Sequence, residues 1–387
     1  MKRSNVTLKY ALFQGAYWAS GVLVYGYTRV FLMNYGCSAS TAGLVLALGS
    51  LAAAFLQPLI GTFMHKRGLS LRTVLFSITA LGILFALLML FPLPAPVITV
   101  FFTLLGVVTN STMGFLNASG FALQKEGETL NFPLARAVGS VTYAVMSKVV
   151  SSLSSANGML ACYIGCAAPL AVLAFTMLPH RDPEQTQPEE KTTQGTEGGF
   201  FRRNRSYLFM LLGQTLIFFM HHILTAYLYD IAVYVGGTEA DLGTALSVGA
   251  LFEMPGMLIA GRYMKKHSPA RLLQWSAVLY CLRTALLLLF PSLPMLYVLE
   301  VLQMVTFAFL IPSFPVFVER YTAPGDKLRC QTLNTGTNAA AGFLGFLFGG
   351  MLVDACGIFP TLEISLLVSI PGAILLFFFA GRALKEE

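Results

Sequence analysis

Apolar residues run along most of this chain in long stretches. Each is close to the roughly 20 residues that a helix needs to cross a bilayer. Short polar or Gly/Pro-rich segments separate them. The pattern predicts twelve spans, at 9–33, 41–64, 72–92, 96–124, 132–154, 158–178, 206–234, 241–264, 270–290, 293–319, 328–353 and 359–383. Hydrocarbon cannot satisfy open backbone groups, so the spans are expected to be helices and the fold class all-α, polytopic. One stretch, 179–205, is rich in Gln, Glu, Thr and Gly and has no apolar period. It predicts a flexible cytoplasmic linker between two six-helix bundles, 1–178 and 206–387.

The two halves repeat one another. Gly43, Gly49, Gly61 and Lys66 recur as Gly243, Gly249, Gly261 and Lys266, all at an offset of 200 residues. Both copies are Gly-rich apolar spans that end in a basic loop. A chain of two similar halves, each built of spans, is the ground plan of a secondary transporter.

Charge sets the topology. The chain is 56% hydrophobic and 11% charged, and its net charge is +7. The loops at 34–40, 91–96, 154–158, 236–241, 290–294 and 354–360 contain no Lys or Arg. They alternate with basic segments such as 65–72, 262–271 and 319–329. Basic loops stay in the cytoplasm, so both termini and the linker are expected there. This explains the positive charge without a nucleic-acid partner. The first apolar run is too long for a signal peptide, and no cleavage site is evident. The six cysteines show no metal or redox spacing. No GxxxxGK[ST] loop is present, which disfavours an ATP-driven pump. No polar domain is large enough for a conventional enzyme, so neither catalysis nor a cofactor is expected.

Charged and titratable residues inside spans are costly and mark pathways. Arg283 and Glu300 lie at one depth on spans nine and ten, so an ion pair is expected, either structural or a proton-linked switch. Arg29 and Asp230, near the outer ends of spans one and seven, form a candidate gate pair, unless Arg29 snorkels to the headgroups. Glu253 sits halfway through span eight with no basic neighbour in sequence. His221 and His222 lie midway through span seven, and no third ligand supports a metal site there. Arg136, Ser140, Tyr143 and Ser147 share a face of span five, at helical spacing. A planar guanidinium, two hydroxyls and an aromatic ring suit a polyhydroxylated ring or an aromatic anion, or serve only for packing. Glu300, Gln303 and Phe307 share a face of span ten. The glycines of span eleven are expected to let helices approach closely.

The run AGLVLALGSLAAAFLQPLIGTFMHKRGLSLR, with FPLARAVGSVTYAV, VLYCLRTALLL and GFLFGGMLVDACGIF, resembles the major facilitator superfamily. More narrowly it resembles the lactose-permease-like oligosaccharide:proton symporters. The resemblance covers essentially the whole chain. It implies that Arg136 binds sugar, that Tyr143 stacks on it and that Arg283 belongs to the proton-coupling cluster. The chain departs from that pattern at His65, where Asp is usual. Ala118, next to Asn117, replaces a carboxylate. Glu300, Gln303 and Thr306 replace a Lys-His-Glu row, and Asn338 replaces a Lys.

The resulting expectation is a monomeric transporter of the bacterial inner membrane that takes up a sugar or glycoside with protons. Asn117, Arg136, Ser140, Tyr143 and Gln303 would contact substrate near the midplane, between the halves. Glu253, Arg283, Glu300, His221 and His222 would serve proton coupling. Carriers of nucleosides or aromatic carboxylates, an efflux antiporter and a non-transporting sensor remain open.

Overall fold

The computed structural model of the chain describes residues 5–123, 130–153, 155–179 and 199–383. Most of the linker segment therefore lies outside the described residues, which resume with the short helix Phe200–Arg203. The described secondary structure is helical throughout.

Three spans are interrupted. Span one is Asn5–Gly26 followed, after Tyr27, by Thr28–Met33. Span seven is Arg205–Ala226 followed, after Tyr227, by Leu228–Tyr234. Span ten is Leu293–Val301 and Phe307–Tyr321, joined through a 3-10 turn at Leu302–Met304. The others are continuous: Ala39–Arg67, Leu71–Leu88, Ala95–Ala122, Phe132–Ser151, Ala156–Met177, Glu239–Met264, Pro269–Leu289, Lys327–Cys356 and Ile358–Ala383. Hydroxyl caps mark several starts. Ser38 accepts from the Thr41 N–H at 3.2 Å, Ser70 from Thr73 at 3.3 Å and Ser155 from Gly158 at 3.1 Å. Span two ends on Gly68, whose φ of 59° suits the left-handed conformation at a helix C-terminus.

Ten of the described helices are long and apolar enough to cross a membrane. Asn5–Gly26 and Phe132–Ser151, of spans one and five, are not among them. These two carry the polar residues of the site described below. Burial runs opposite to a water-soluble protein. Phe55 and Leu367 are about two-thirds exposed, while Gln14 is fully buried and Arg283 is 1% exposed. The apolar outside faces lipid, and the polar groups turn inward, where they find partners.

The chain divides into two compact units. Unit 1 is Met1–Gln185 with Glu239–Ala250, and unit 2 is Thr186–Thr238 with Leu251–Glu387. In unit 1, span one packs on spans five and six, and span three packs on spans four and six. In unit 2, span seven packs on spans eleven and twelve, and span nine packs on spans ten and twelve. The same packing plan is thus built twice. The helix breaks repeat as well. Tyr27 is fully buried and its hydroxyl donates to the Ser147 carbonyl at 2.7 Å. Tyr227 is fully buried and donates to the Phe346 carbonyl at 2.8 Å. Each tyrosine ties the break in the first span of its unit to the unit's fifth span.

In unit 2, spans seven and twelve touch backbone to backbone at Gly213 and Gly372. A Cβ on Gly213 would lie 2.6 Å from the Gly372 carbonyl oxygen and 2.9 Å from the Leu376 nitrogen. Backbone cannot give way as a side-chain tip can. Gly213→Val is expected to cost about 1–3 kcal/mol. The check is the unfolding temperature of the purified protein. Gly61→Ala, at a position with nothing within 4 Å, should leave that temperature near the parent's.

Candidate functional site

Span five begins after Asn131, whose side chain accepts from the Leu134 N–H at 3.2 Å. One turn on, the guanidinium of Arg136 donates from Nη1 to Ser140 Oγ at 3.0 Å. Its carbon sits 4.1 Å from the centre of the Trp18 ring on span one, a cation–π contact. Trp18 is itself held by a series of hydrogen bonds. Its indole N–H donates to Gln14 Oε1 at 3.0 Å, and Gln14 Nε2 donates to the Tyr10 hydroxyl at 2.6 Å. Tyr10 donates in turn to Asn117 Oδ1 on span four, at 3.4 Å. Tyr143 meets Trp18 edge-on, with ring centroids 6.1 Å apart, and Tyr25 lies against Trp18 at 5.7 Å.

The structure thus brings Arg136, Ser140, Tyr143 and Asn117 into one cluster of unit 1. Arg136, Tyr143, Asn117 and Trp18 are half-buried. Ser147 does not join them. It is fully buried, and its hydroxyl donates to the Tyr143 carbonyl of its own helix at 2.8 Å. The expected pair of hydroxyls on this face is therefore one hydroxyl. Sequence reasoning missed Tyr10, Gln14 and Trp18. Their signal was present as a polar and aromatic stripe at intervals of four residues on span one. A guanidinium held over an indole and bonded to a serine has its remaining N–H groups fixed in direction. That suits a carbonyl, carboxylate or vicinal hydroxyls, while the aromatic rings suit a ring face.

Unit 2 holds a second cluster at the interruption of span ten. Arg283 Nη2 donates to Glu300 Oε1 at 3.1 Å and to Gln303 Oε1 at 3.3 Å. The arginine and the carboxylate are both buried, with side chains 1% and 7% exposed. Gln303 Nε2 then donates to Glu253 Oε1 at 2.5 Å. Glu253, which lacks a basic neighbour in sequence, is thus linked through Gln303 to Arg283. Gln303 sits within the Leu302–Met304 turn, so the break in the helix places the bridging amide. Interrupted helices are tolerated at membrane depth where protein or a polar cavity receives the freed groups. His221 stacks on Phe307 at 4.9 Å and meets Tyr280 edge-on at 5.8 Å. His222 turns to span eleven and packs edge-on against Phe346 at 4.8 Å. Arg283 Nε and Nη1, the Tyr280 hydroxyl and His221 Nδ1 are buried without a hydrogen-bond partner among the described residues. Each such group costs about 1–3 kcal/mol. A cluster of them marks a site where the polar groups serve something other than stability.

Two further sequence candidates, Arg29 and Asp230, fall elsewhere. Arg29 belongs to unit 1, where Nη1 donates to the Cys37 carbonyl at 3.3 Å, and Asp230 belongs to unit 2. Lys148 is exposed and donates to Thr244 Oγ1 at 2.5 Å, within unit 1. Among the described residues, no group of three or more His, Cys, Asp or Glu is placed to hold a metal ion.

A family model described as "MFS_1 like family" matches residues 6–363. A search of curated proteins finds no match. Among solved structures, a mutant form of the nucleoside transporter NupG superposes with a TM-score of 0.81 at 18% identity, covering 97% of this chain and 99% of that one. A POT family transporter in complex with 5-aminolevulinic acid gives 0.72 at 11% identity, covering 97% and 95%. A bacterial homolog of the human lysosomal transporter Spinster gives 0.71 at 12% identity, covering 99% and 98%. At such identities the likeness shows the fold.

Proposed function

This chain belongs to the MFS_1 like family of membrane transporters, and from that premise we propose that it carries a nucleoside or related glycoside into the cell together with protons. The observation that carries this reading is the Arg136–Trp18 platform. Its guanidinium carbon lies over the indole, 4.1 Å from the ring centre, and the group is tethered to Ser140, with Tyr143 alongside. A nucleoside offers what this set recognises: a flat heterocycle for the aromatic rings, and hydroxyls and carbonyls for the guanidinium and amides. The fold likeness to a nucleoside transporter is compatible with this choice. A free sugar or simple glycoside is the second reading, supported by the family resemblance at Arg136 and Tyr143.

Coupling is assigned to the unit 2 cluster of Glu253, Gln303, Arg283 and Glu300. Two carboxylates share one arginine through a neutral amide. A proton taken up by one carboxylate changes the charge that Arg283 must balance, and so the packing around it. His221 lines the same cluster.

A thermal-shift screen of nucleosides, free sugars, glycosides and aromatic carboxylates on purified protein tests the substrate class. Nucleosides are expected to raise the unfolding temperature most. Stabilisation by free sugars alone would replace the first reading with the second, and stabilisation by aromatic acids alone would discard both. Counterflow in proteoliposomes distinguishes a carrier from a non-transporting sensor.

A further inference from the structure

The end of span eight and the loop that joins it to span nine form an open surface cavity of about 530 Å³, lined by Ile259, Arg262, Tyr263, Lys265, Lys266 and His267. It lies in unit 2, among the basic loops and apart from both clusters described above. Three features make it a built site. The first is unbalanced charge. Arg262, Lys265 and Lys266 are exposed and form no salt bridge with a carboxylate among the described residues. The second is a rigid wall. Arg320 of span ten donates to the His267 carbonyl at 3.0 Å and also grips the Met264 carbonyl. Ser268 is hydrogen-bonded to the Tyr321 hydroxyl at 2.6 Å. The Tyr263 ring packs against His267 at 4.5 Å and Trp275 at 5.5 Å. The third is an apolar strip that adjoins the cations: Leu258, Ile259, Trp275 and Val278 are all 41–51% exposed.

We propose that this cavity binds the phosphate headgroup of an anionic phospholipid, with the acyl chains lying along the exposed apolar strip. The ligand chemistry is that of a phosphate anion. A free phosphate would use the cations alone. The strip beside them is what a lipid adds, and an exposed Trp at such a boundary suits the headgroup level. Each Lys or Arg near an anionic headgroup strengthens attraction appreciably, and three acting together should change affinity by roughly 100-fold.

The experiment titrates short-chain phosphatidylglycerol into the full-length protein in a neutral detergent and follows the unfolding temperature. Phosphatidylglycerol is expected to protect the parent, whereas short-chain phosphatidylcholine and inorganic phosphate at equal concentration are not. In the variant carrying Arg262→Gln, Lys265→Gln and Lys266→Gln, the half-saturating lipid concentration should rise roughly 100-fold. A control variant, Lys66→Gln with Arg67→Gln and Arg72→Gln, removes three cations from the basic loop of unit 1 and should bind like the parent. Equal loss in both variants would mean general surface attraction and would overturn the site. Equal protection by inorganic phosphate would overturn the lipid. Photoactivatable phosphatidylglycerol on the parent protein gives an answer even if the triple variant does not fold. Cross-links within 258–278 support the site, and cross-links that avoid this segment refute it.

Discussion

Arg136→Gln is expected to weaken substrate binding by about 10- to 100-fold while leaving the protein folded. Removing hydrogen bonds made by a charged group costs about 1.5–3 kcal/mol, which sets that range. The fold should survive because Arg136 is half-buried, and the serine and the ring face that it meets both belong to helices with extensive packing of their own. Trp18→Ala should produce a similar loss by a different route. It removes the surface on which the guanidinium lies and leaves Gln14 Oε1 without its indole donor. Trp18→Phe keeps a ring and drops only the N–H, so its effect should be smaller. Direct binding of the screened substrate, measured beside the unfolding temperature, checks all three. If Arg136→Gln binds as tightly as the parent, unit 1 does not hold the substrate through this cluster.

Glu253→Gln is expected to leave substrate exchange intact and to abolish uphill accumulation driven by an inward proton gradient. The substitution keeps the shape and still accepts from Gln303, whose amide reaches Glu253 at 2.5 Å. Only the titratable charge is lost. Glu300→Gln should uncouple transport as well, but at a higher cost in stability. Its carboxylate faces a guanidinium 3.1 Å away, and breaking a buried pair costs about 3–5 kcal/mol because the remaining charge stays uncompensated. The measurement is uptake into proteoliposomes with and without the gradient, compared with counterflow. Should both variants accumulate substrate like the parent, neither carboxylate couples, and His221, against Phe307 and Tyr280, becomes the group to test.

Legibility from the sequence differed from residue to residue, for physical reasons. Arg283 and Glu300 were readable as neighbours because their spans are consecutive and joined by a tight turn. Depth along each helix then translates directly into proximity. The link from Glu253 to Gln303 was not readable, because it depends on the 3-10 turn at Leu302–Met304. Spans eight and ten are also not consecutive, so only their packing brings the two side chains together. Arg136 and Ser140 were readable at one helical turn. Trp18 beneath them was not, since its contact joins spans far apart in the chain. Ser147 shows the converse error. It occupies the expected helical face, yet its hydroxyl turns back to the Tyr143 carbonyl.

By itself the sequence determined that this is a polytopic helical protein of two similar halves, and which of its polar residues lie within the spans. Hydropathy is a one-dimensional property, and lipid leaves the backbone of a span no alternative to a helix. Only the tertiary structure decided which of those polar groups meet. It seated Arg136 on Trp18, strung Gln14 and Tyr10 behind it, bridged Glu253 to Arg283 through Gln303, and tied the breaks at Tyr27 and Tyr227 to the Ser147 and Phe346 carbonyls. These contacts follow from how helices distant in sequence pack, where small residues such as Gly213 and Gly372 set the spacing and side-chain shape sets the rotation about each axis.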